Sequence, residues 1–185
     1  MQLKYDWSLE ELQGLYNLPL LSLISQSHLI HIQNHRVEQI QVCHLISVKT
    51  GGCPEDCKYC AQSSRYSTSV SAQPMMQYEQ TLDLAKKAIQ RGVTRICLGA
   101  AWREIRDNKQ FEQVLAMIKG IAELGVEVCC TLGMLNESQA KRLKEAGLYA
   151  YNHNLDSSEQ FYKTIITTRT YQDRLKTLDI VQKAQ

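Results

Sequence analysis

The feature that most restricts the possible folds is a unit of helix, glycine and strand that recurs along the chain. In its first copy, an amphipathic helical pattern over residues 81–91 is followed by Gly92 and by an apolar run at 93–98. Two more copies place Gly125 and Gly147 between a helical pattern and an apolar run. Glycine adopts the left-handed backbone that commonly ends a helix, and alternating helices and strands build a parallel sheet with helices on its outside. The repeat therefore predicts an α/β fold.

A strand before the first unit raises the number of predicted strands to four. Residues 40–48 are rich in branched apolar side chains and end near a glycine pair, so they predict a buried strand that leads into a loop. Two more helices, at 158–162 and 171–183, follow the fourth strand at 148–151. A closed eight-stranded barrel takes roughly 250 residues, whereas this chain has 185. The pattern predicts the first half of a (β/α)8 TIM-type barrel, truncated before its fifth strand.

An N-terminal helical extension is expected over residues 1–38, before the partial barrel at 39–185. Two helical patterns, at 8–16 and 20–33, are separated by Pro19, which cannot continue a helix. The second pattern also carries three histidines within reach of one another: His28, His31 and His35. Because no nearby carboxylate or cysteine completes a metal site, these histidines are expected on a solvated helix face.

Composition narrows the function classes. The chain is 44% hydrophobic and 22% charged, which allows a sizeable core, and its net charge of +2 is too weak to predict binding to nucleic acid or a membrane surface. No apolar run reaches membrane-spanning length. Seven cysteines are an odd number for a disulfide framework, and the chain is long for a stapled secreted domain. We therefore expect metal ligation in a reducing compartment, a cytoplasmic location without signal or transit peptide, and a small-molecule partner.

Three cysteines lie in a loop after the first predicted strand, Lys-Thr-Gly-Gly-Cys-Pro-Glu-Asp-Cys-Lys-Tyr-Cys at residues 49–60. Cys53, Cys57 and Cys60 have the spacing Cys-x3-Cys-x2-Cys, so one short loop can turn three thiolates toward a common centre. A closed zinc site or an ordinary ferredoxin cluster takes four protein ligands. Three ligands favour an iron–sulfur cluster with one iron open to another molecule. The alternative is a zinc knuckle whose fourth ligand lies elsewhere.

Further cysteines end the second and third predicted strands. In parallel sheets and barrels the active site lies at the carboxyl ends of the strands, so these residues are expected near the cysteine loop. Cys97 ends the second strand and is either a ligand or a small core residue. Cys129 and Cys130 point to opposite faces of the third strand, so only one of them can face the barrel interior.

The fourth strand is followed by polar residues at alternate positions, Asn152, Asn154 and Asp156. Side chains two apart share one face of an extended segment, so Asn154 and Asp156 could offer amide and carboxylate groups to hydroxyl groups or an amine. The alternative is an Asx-rich turn after the strand. Beside the cysteine loop, the ring of Tyr59 is a suitable platform for a flat heterocycle.

Several segments are also similar to those of a known family. They are Lys-Thr-Gly-Gly-Cys-Pro-Glu-Asp-Cys-Lys-Tyr-Cys-Ala-Gln-Ser-Ser-Arg-Tyr at 49–66, Cys-Leu-Gly-Ala-Ala-Trp at 97–102, Thr-Leu-Gly at 131–133, Tyr-Asn-His-Asn-Leu-Asp at 151–156 and Ile-Ile-Thr-Thr-Arg-Thr-Tyr at 165–171. Through them the chain resembles the biotin synthase family of the radical S-adenosylmethionine superfamily, from near its amino terminus to its last residue.

The resemblance implies a radical sulfurtransferase. The three loop cysteines would hold a 4Fe-4S cluster whose open iron takes the amino and carboxylate groups of S-adenosylmethionine. One electron from the cluster would give methionine and a 5′-deoxyadenosyl radical, which abstracts hydrogen from dethiobiotin. Residues expected to contact the cofactor are Tyr59, Ala100, Asn154 and Asp156. Asn154 is also expected near the ureido ring of the substrate.

The resemblance further implies a second cluster, a 2Fe-2S centre that supplies the inserted sulfur. Cys97 and Cys129 match two of its ligands, whereas another cysteine and an arginine lie on later strands that this sequence does not include. The family also implies an electron donor such as flavodoxin or ferredoxin, and a homodimer at full length. The other hypothesis is a catalytically inactive remnant or a structural metal-binding protein.

Overall fold

The computed structural model describes residues 4–184 of the chain. It divides into two compact units, whose described residues are 4–40 and 41–184. No helix in this part of the chain combines the length and the apolar character needed to cross a membrane.

The first unit contains two helices, α1 (Leu9–Tyr16) and α2 (Leu20–Asn34), as the sequence predicts. Ser8 caps α1 in a capping box, because its hydroxyl accepts from the backbone N–H of Glu11 and the Glu11 carboxylate accepts from the N–H of Ser8. Neither helix contains a buried residue. The three histidines of this unit are exposed, as expected.

The second unit is a four-stranded parallel sheet with helices between the strands, in the order β1-β2-β3-β4. This confirms the predicted α/β class. Its elements are β1 (Cys43–Lys49), α3 (Tyr78–Ile89), β2 (Arg95–Ala100), α4 (Lys109–Ala122), β3 (Glu127–Thr131), α5 (Glu137–Glu145), β4 (Ala150–Tyr151), α6 (Glu159–Ile165) and α7 (Tyr171–Lys183).

The two faces of the sheet have different environments. One face packs against the helices and carries the main hydrophobic core, which includes Ile46, Leu98, Val128 and Cys130. Since side chains alternate along a strand, Cys129 lies on the opposite face, where it is in register with Cys97 of β2. The expectation that the adjacent cysteines of β3 point to opposite faces is therefore confirmed.

The helix ends follow the predicted rule. Gly92, Gly125 and Gly147 follow α3, α4 and α5 with φ of 86°, 82° and 99°, the left-handed region that glycine enters without steric cost.

One helix face differs from its prediction. The spacing in α7 predicts that Leu175 points inward, and this is wrong: Leu175 is exposed, and the buried positions of the helix are Arg174, Thr177 and Ile180. The physical reason is an ion pair, because Arg174 reaches the carboxylate of Asp156 in the interior.

Candidate metal and cofactor site

A cavity of about 400 Å³ lies at the carboxyl ends of the strands. Seven of the site residues that were predicted from the sequence line this cavity: Cys53, Cys57, Tyr59, Cys60, Ala100, Asn154 and Asp156. Cys97 and Cys129 are not among the lining residues. The predicted site residues thus form two groups, one that lines the cavity and a separate pair of cysteines on the strands.

The cysteine loop turns back over the sheet because two glycines follow β1. Gly51 and Gly52 have φ of 67° and 71°, and a Cβ on Gly51 would lie 2.8 Å from the carbonyl oxygen of Ser71. The loop is then closed by backbone hydrogen bonds, from Cys53 N–H to the oxygen of Gln62 (3.0 Å) and from Cys60 N–H to the oxygen of Cys57 (3.0 Å).

Asp56 ties the loop to a segment more than one hundred residues later. Its carboxylate accepts the backbone N–H groups of Thr167 (2.8 Å) and Thr168 (3.1 Å) and also the hydroxyl groups of both threonines. Burial alone would raise the pKa of Asp56, but these donors stabilise the carboxylate and hold its pKa well below the usual range. The position of the loop therefore depends on the segment between α6 and α7.

Arg169 of that segment is buried against the loop. Its Nη2 donates to the Sγ of Cys57 (3.2 Å) and to Oδ2 of Asp156 (3.2 Å), and its Nε donates to the hydroxyl of Tyr162 (3.1 Å). Its Nη1 lies 3.4 Å from Oε2 of Glu55. Sequence reasoning assigned no role to Arg169 or Glu55, although both lie in segments that carry the family resemblance.

Asp156 combines an unusual backbone with a charged environment. Among the described residues it is the only non-glycine residue with a positive φ, which is 69°. Its side chain is 7% exposed. Its carboxylate pairs with Arg169 and Arg174, whose Nη1 lies 3.2 Å from Nδ1 of His153. Burial and the two arginine charges lower the pKa of His153 to about 4. Asn154, by contrast, is exposed at the cavity.

Tyr59 lies at the mouth of the cavity with 57% of its surface exposed. Desolvation, followed by the neighbouring Asp156 carboxylate, raises the pKa of its hydroxyl far above the usual value. The ring is therefore neutral and accessible.

The three loop thiols fit an iron–sulfur cluster. All three are free and line one cavity. Burial raises the pKa of Cys53 and Cys57, and for Cys57 the positive charge of Arg169 opposes that effect. Within the described residues, no three His, Cys, Asp or Glu side chains surround the position of a single metal ion. A cluster does not require this, because its cysteines bind separate irons.

Cys97 and Cys129 form a second sulfur group on the face of the sheet that is opposite the helices, here called the inner face. Their Sγ atoms are 2.8 Å apart, and Nδ2 of Asn152 donates to Cys129 Sγ (3.1 Å) and Cys97 Sγ (3.5 Å). The hydrogen bond from Cys129 lowers the pKa of Cys97 to about 7, and the same interaction raises the pKa of Cys129. The pair therefore loses one proton readily and the second with difficulty. Two register positions before this pair, Arg95 of β2 donates to Oε2 of Glu127 of β3 (2.7 Å).

Comparison with known proteins adds a family match. The model of the radical SAM superfamily matches residues 47–185. Proteins named biotin synthase are similar over nearly the whole chain: that of Nostoc punctiforme is 60% identical over 181 residues (98% of this chain, 54% of the relative), and that of Chlamydia abortus 62% identical over 178 residues (96% and 54%). The chain spans about half the length of these curated relatives.

Solved structures agree on the fold. The FeFe-hydrogenase maturase HydG from Carboxydothermus hydrogenoformans superimposes with a TM-score of 0.76 at 18% identity, covering 96% of this chain and 42% of that chain. Methylornithine synthase (PylB) superimposes with a TM-score of 0.70 at 13% identity, covering 97% and 53%. At these identities the likeness concerns the fold alone.

Proposed function

We propose a function from one premise: the chain belongs to the radical SAM superfamily. We infer that it provides the cluster-binding and S-adenosylmethionine-binding half of a biotin synthase, which inserts sulfur into dethiobiotin. One observation carries this inference. The three cysteines of the loop line the same cavity as Tyr59, Asn154 and Asp156, in a chain whose relatives at 60% and 62% identity are named biotin synthase.

Cys53, Cys57 and Cys60 would hold a 4Fe-4S cluster. Because the loop provides three ligands, one iron is left for the amino and carboxylate groups of S-adenosylmethionine. When bound, the cluster supplies the low-potential electron that cleaves the sulfonium group of that cofactor.

The residues of the cavity position the cofactor and the substrate. The exposed ring of Tyr59 offers a face to the adenine, and Ala100 at the end of β2 leaves the backbone open because its side chain is small. Asp156 is held by two arginines and so presents its carboxylate in a fixed position. Asn154 offers an exposed amide to the cofactor and to the ureido ring of dethiobiotin.

Cys97 and Cys129 would be two ligands of the 2Fe-2S cluster. Their place on the inner face and the short distance between their sulfurs support this assignment, and the remaining ligands would come from outside this sequence. Likeness to the biotin synthase relatives supports the rest of the proposal: a donor of the flavodoxin or ferredoxin type, a homodimer and a cytoplasmic location.

Anaerobic reconstitution with iron and sulfide tests the first step. The chain should bind about four irons through its loop, and after reduction it should cleave S-adenosylmethionine to methionine and 5′-deoxyadenosine. A variant with the three loop cysteines changed to alanine is the matched control and should do neither. Zinc binding without cluster absorbance would contradict the proposal.

A product assay with dethiobiotin distinguishes the other hypothesis. Cleavage of S-adenosylmethionine without biotin would mean that this half performs the radical step alone. A chain that keeps its metal but neither cleaves S-adenosylmethionine nor forms biotin would be a structural metal-binding protein or an inactive remnant.

A further inference from the structure

We propose that Arg169 is a positioning residue that makes the cluster of the loop easier to reduce, through its N–H···S hydrogen bond to Cys57. The inference rests on the proposed function, since it requires a cluster on Cys57. Arg169 already helps to hold Asp156 at the cavity, and the inference adds a role for the same buried charge at the cluster itself.

The geometry around Arg169 is specific. The guanidinium has five N–H donors in a fixed plane, and here they reach Cys57, Asp156, Tyr162 and Glu55 at 3.1–3.4 Å. Its side chain is 6% exposed, so water does not compete for these contacts. Among residues 4–184, Arg169 is the only residue whose side chain donates a hydrogen bond to a sulfur of the loop.

Two carboxylates fix the position of this guanidinium. Glu55 and Asp156 have side chains only 2% and 7% exposed, and each lies against Arg169. The backbone of the segment is fixed as well, because Thr167 and Thr168 donate to Asp56 of the loop. Arg169 and Cys57 are thus held by one connected network. A lysine keeps the charge, but its ammonium is a single point and cannot replace the planar set of contacts.

The direction of the effect follows from charge. Reduction adds a negative charge to a cluster, and an N–H donor and a cation beside a ligand sulfur stabilise that added charge. The effect is stronger in a buried site than in water. Removing the cation would also leave the charges of Glu55 and Asp156 without this partner, which opposes reduction further. Both effects make reduction harder when Arg169 is replaced.

The test is a redox titration of the reconstituted chain without S-adenosylmethionine. Arg169→Lys keeps the charge and loses the planar contacts, and Arg169→Gln loses both. At a fixed potential near the wild-type midpoint, we expect Arg169→Gln to lower the ratio of reduced to oxidised cluster about tenfold, equivalent to about 59 mV for a one-electron couple. Arg169→Lys should move the midpoint in the same direction by less.

Arg174→Lys is the matched control. Arg174 also pairs with Asp156 and lies 3.4 Å from the Tyr162 hydroxyl, but no sulfur is among its partners. Its variant should leave the midpoint unchanged. Equal shifts in the Arg169 and Arg174 variants, or full clusters with unshifted midpoints in both Arg169 variants, would overturn the proposal.

A second measurement uses the wild-type chain, so it does not depend on whether the Arg169 variants fold. In the reduced wild-type cluster, electron–nuclear double resonance should detect a proton that is strongly coupled and exchanges in D₂O, and Arg174→Lys should keep it. Absence of that proton would overturn the role of Arg169 while leaving the proposed function intact. Failure of wild type to form a cluster would instead refute the proposed function, and would be seen before any potential is measured.

Discussion

Two groups of cysteines lie in the second unit, and the structure holds them in different ways. Cys53, Cys57 and Cys60 are close in sequence, but their loop is anchored by Asp56 and Arg169 to a segment more than one hundred residues away. Cys97 and Cys129 are 32 residues apart and need no such anchor, because the register of two adjacent strands places them side by side.

The difference shows where each site is vulnerable. A loop has few backbone contacts of its own, so its geometry depends on side chains that reach it from elsewhere. A strand position is fixed by the hydrogen bonds of the sheet and by the core behind it. Changes to supporting polar residues should therefore disturb the loop much more than the pair.

The largest effect should come from the ligands themselves. In Cys57→Ala the loop keeps two thiolates, too few for a stable cluster, so iron per chain should fall from about four to near zero after reconstitution. Cys97→Ala, the matched change in the pair, should keep about four irons on the loop. Iron analysis and cluster absorbance check both variants. Equal loss in the two would mean that the groups form one site.

The second effect concerns the anchor of the loop. Asp56→Asn keeps one acceptor oxygen but loses the charge and turns an NH₂ group toward the donors of Thr167 and Thr168. Hydrogen bonds to charged groups contribute about 1.5–3 kcal/mol each, and this carboxylate is partly exposed, so the free energy of unfolding should fall by about 2 kcal/mol. Urea unfolding measures this. Asp83→Asn is the control, because Asp83 is exposed and forms an exposed ion pair with Lys87, and its variant should be near wild type.

The grouping of three thiols in one loop was predictable because it is local in sequence. The grouping of Cys53, Cys57 and Cys60 needed no tertiary knowledge. The helix–glycine–strand rule correctly predicted β2, β3 and β4, and the branched apolar run at 40–48 predicted β1. The contacts of Asp56 and Arg169 were not predictable in this way, since nothing near either residue in sequence indicates the partner that tertiary folding brings to it. The sequence thus predicts three neighbouring thiols in the loop, but not the contacts that anchor the loop.

Element boundaries show the same limit. Helix α3 begins at Tyr78, three residues before the prediction, because its N-cap Gln77 makes no side-chain capping bond and leaves no start signal. At the start of helix α5 the signal is present in the sequence, since Asn136 and Gln139 have the spacing of a capping box and form one in the structure. In α7 the apolar spacing selected Leu175, whereas the structure buries Arg174. Periodicity identifies apolar faces and cannot foresee an ion pair.

A third effect is pH-dependent and concerns His153, which lines the cavity and contacts Arg174. Its pKa is about 4 in the folded chain, below the value of about 6.5 for an unfolded chain. The contribution of neutral His153 to the free energy of unfolding is therefore fully present above pH 6.5 and decreases as the pH falls toward 4. Between pH 7 and pH 5.5 the free energy of unfolding should fall by about 1 kcal/mol from this residue.

Urea unfolding at the two pH values, compared with His153→Asn, isolates this contribution. The variant should lose that part of the pH dependence, whereas His28→Asn, at an exposed position of α2, should keep it. An unchanged slope in His153→Asn would show that the histidine does not control the acid sensitivity of this region.

The smallest effect should come from the support of the strand pair. Arg95 and Glu127 form a half-buried ion pair two register positions before Cys97 and Cys129. Glu127→Gln is therefore the change that corresponds to Asp56→Asn in the loop. Such pairs contribute about 0.5–1 kcal/mol and weaken with salt. The strands hold the cysteines in register without it, so the rate at which a disulfide-forming reagent links Cys97 to Cys129 should stay within about twofold of wild type, a change of about 0.4 kcal/mol. A larger change would show that the pair, like the loop, depends on a distant charge.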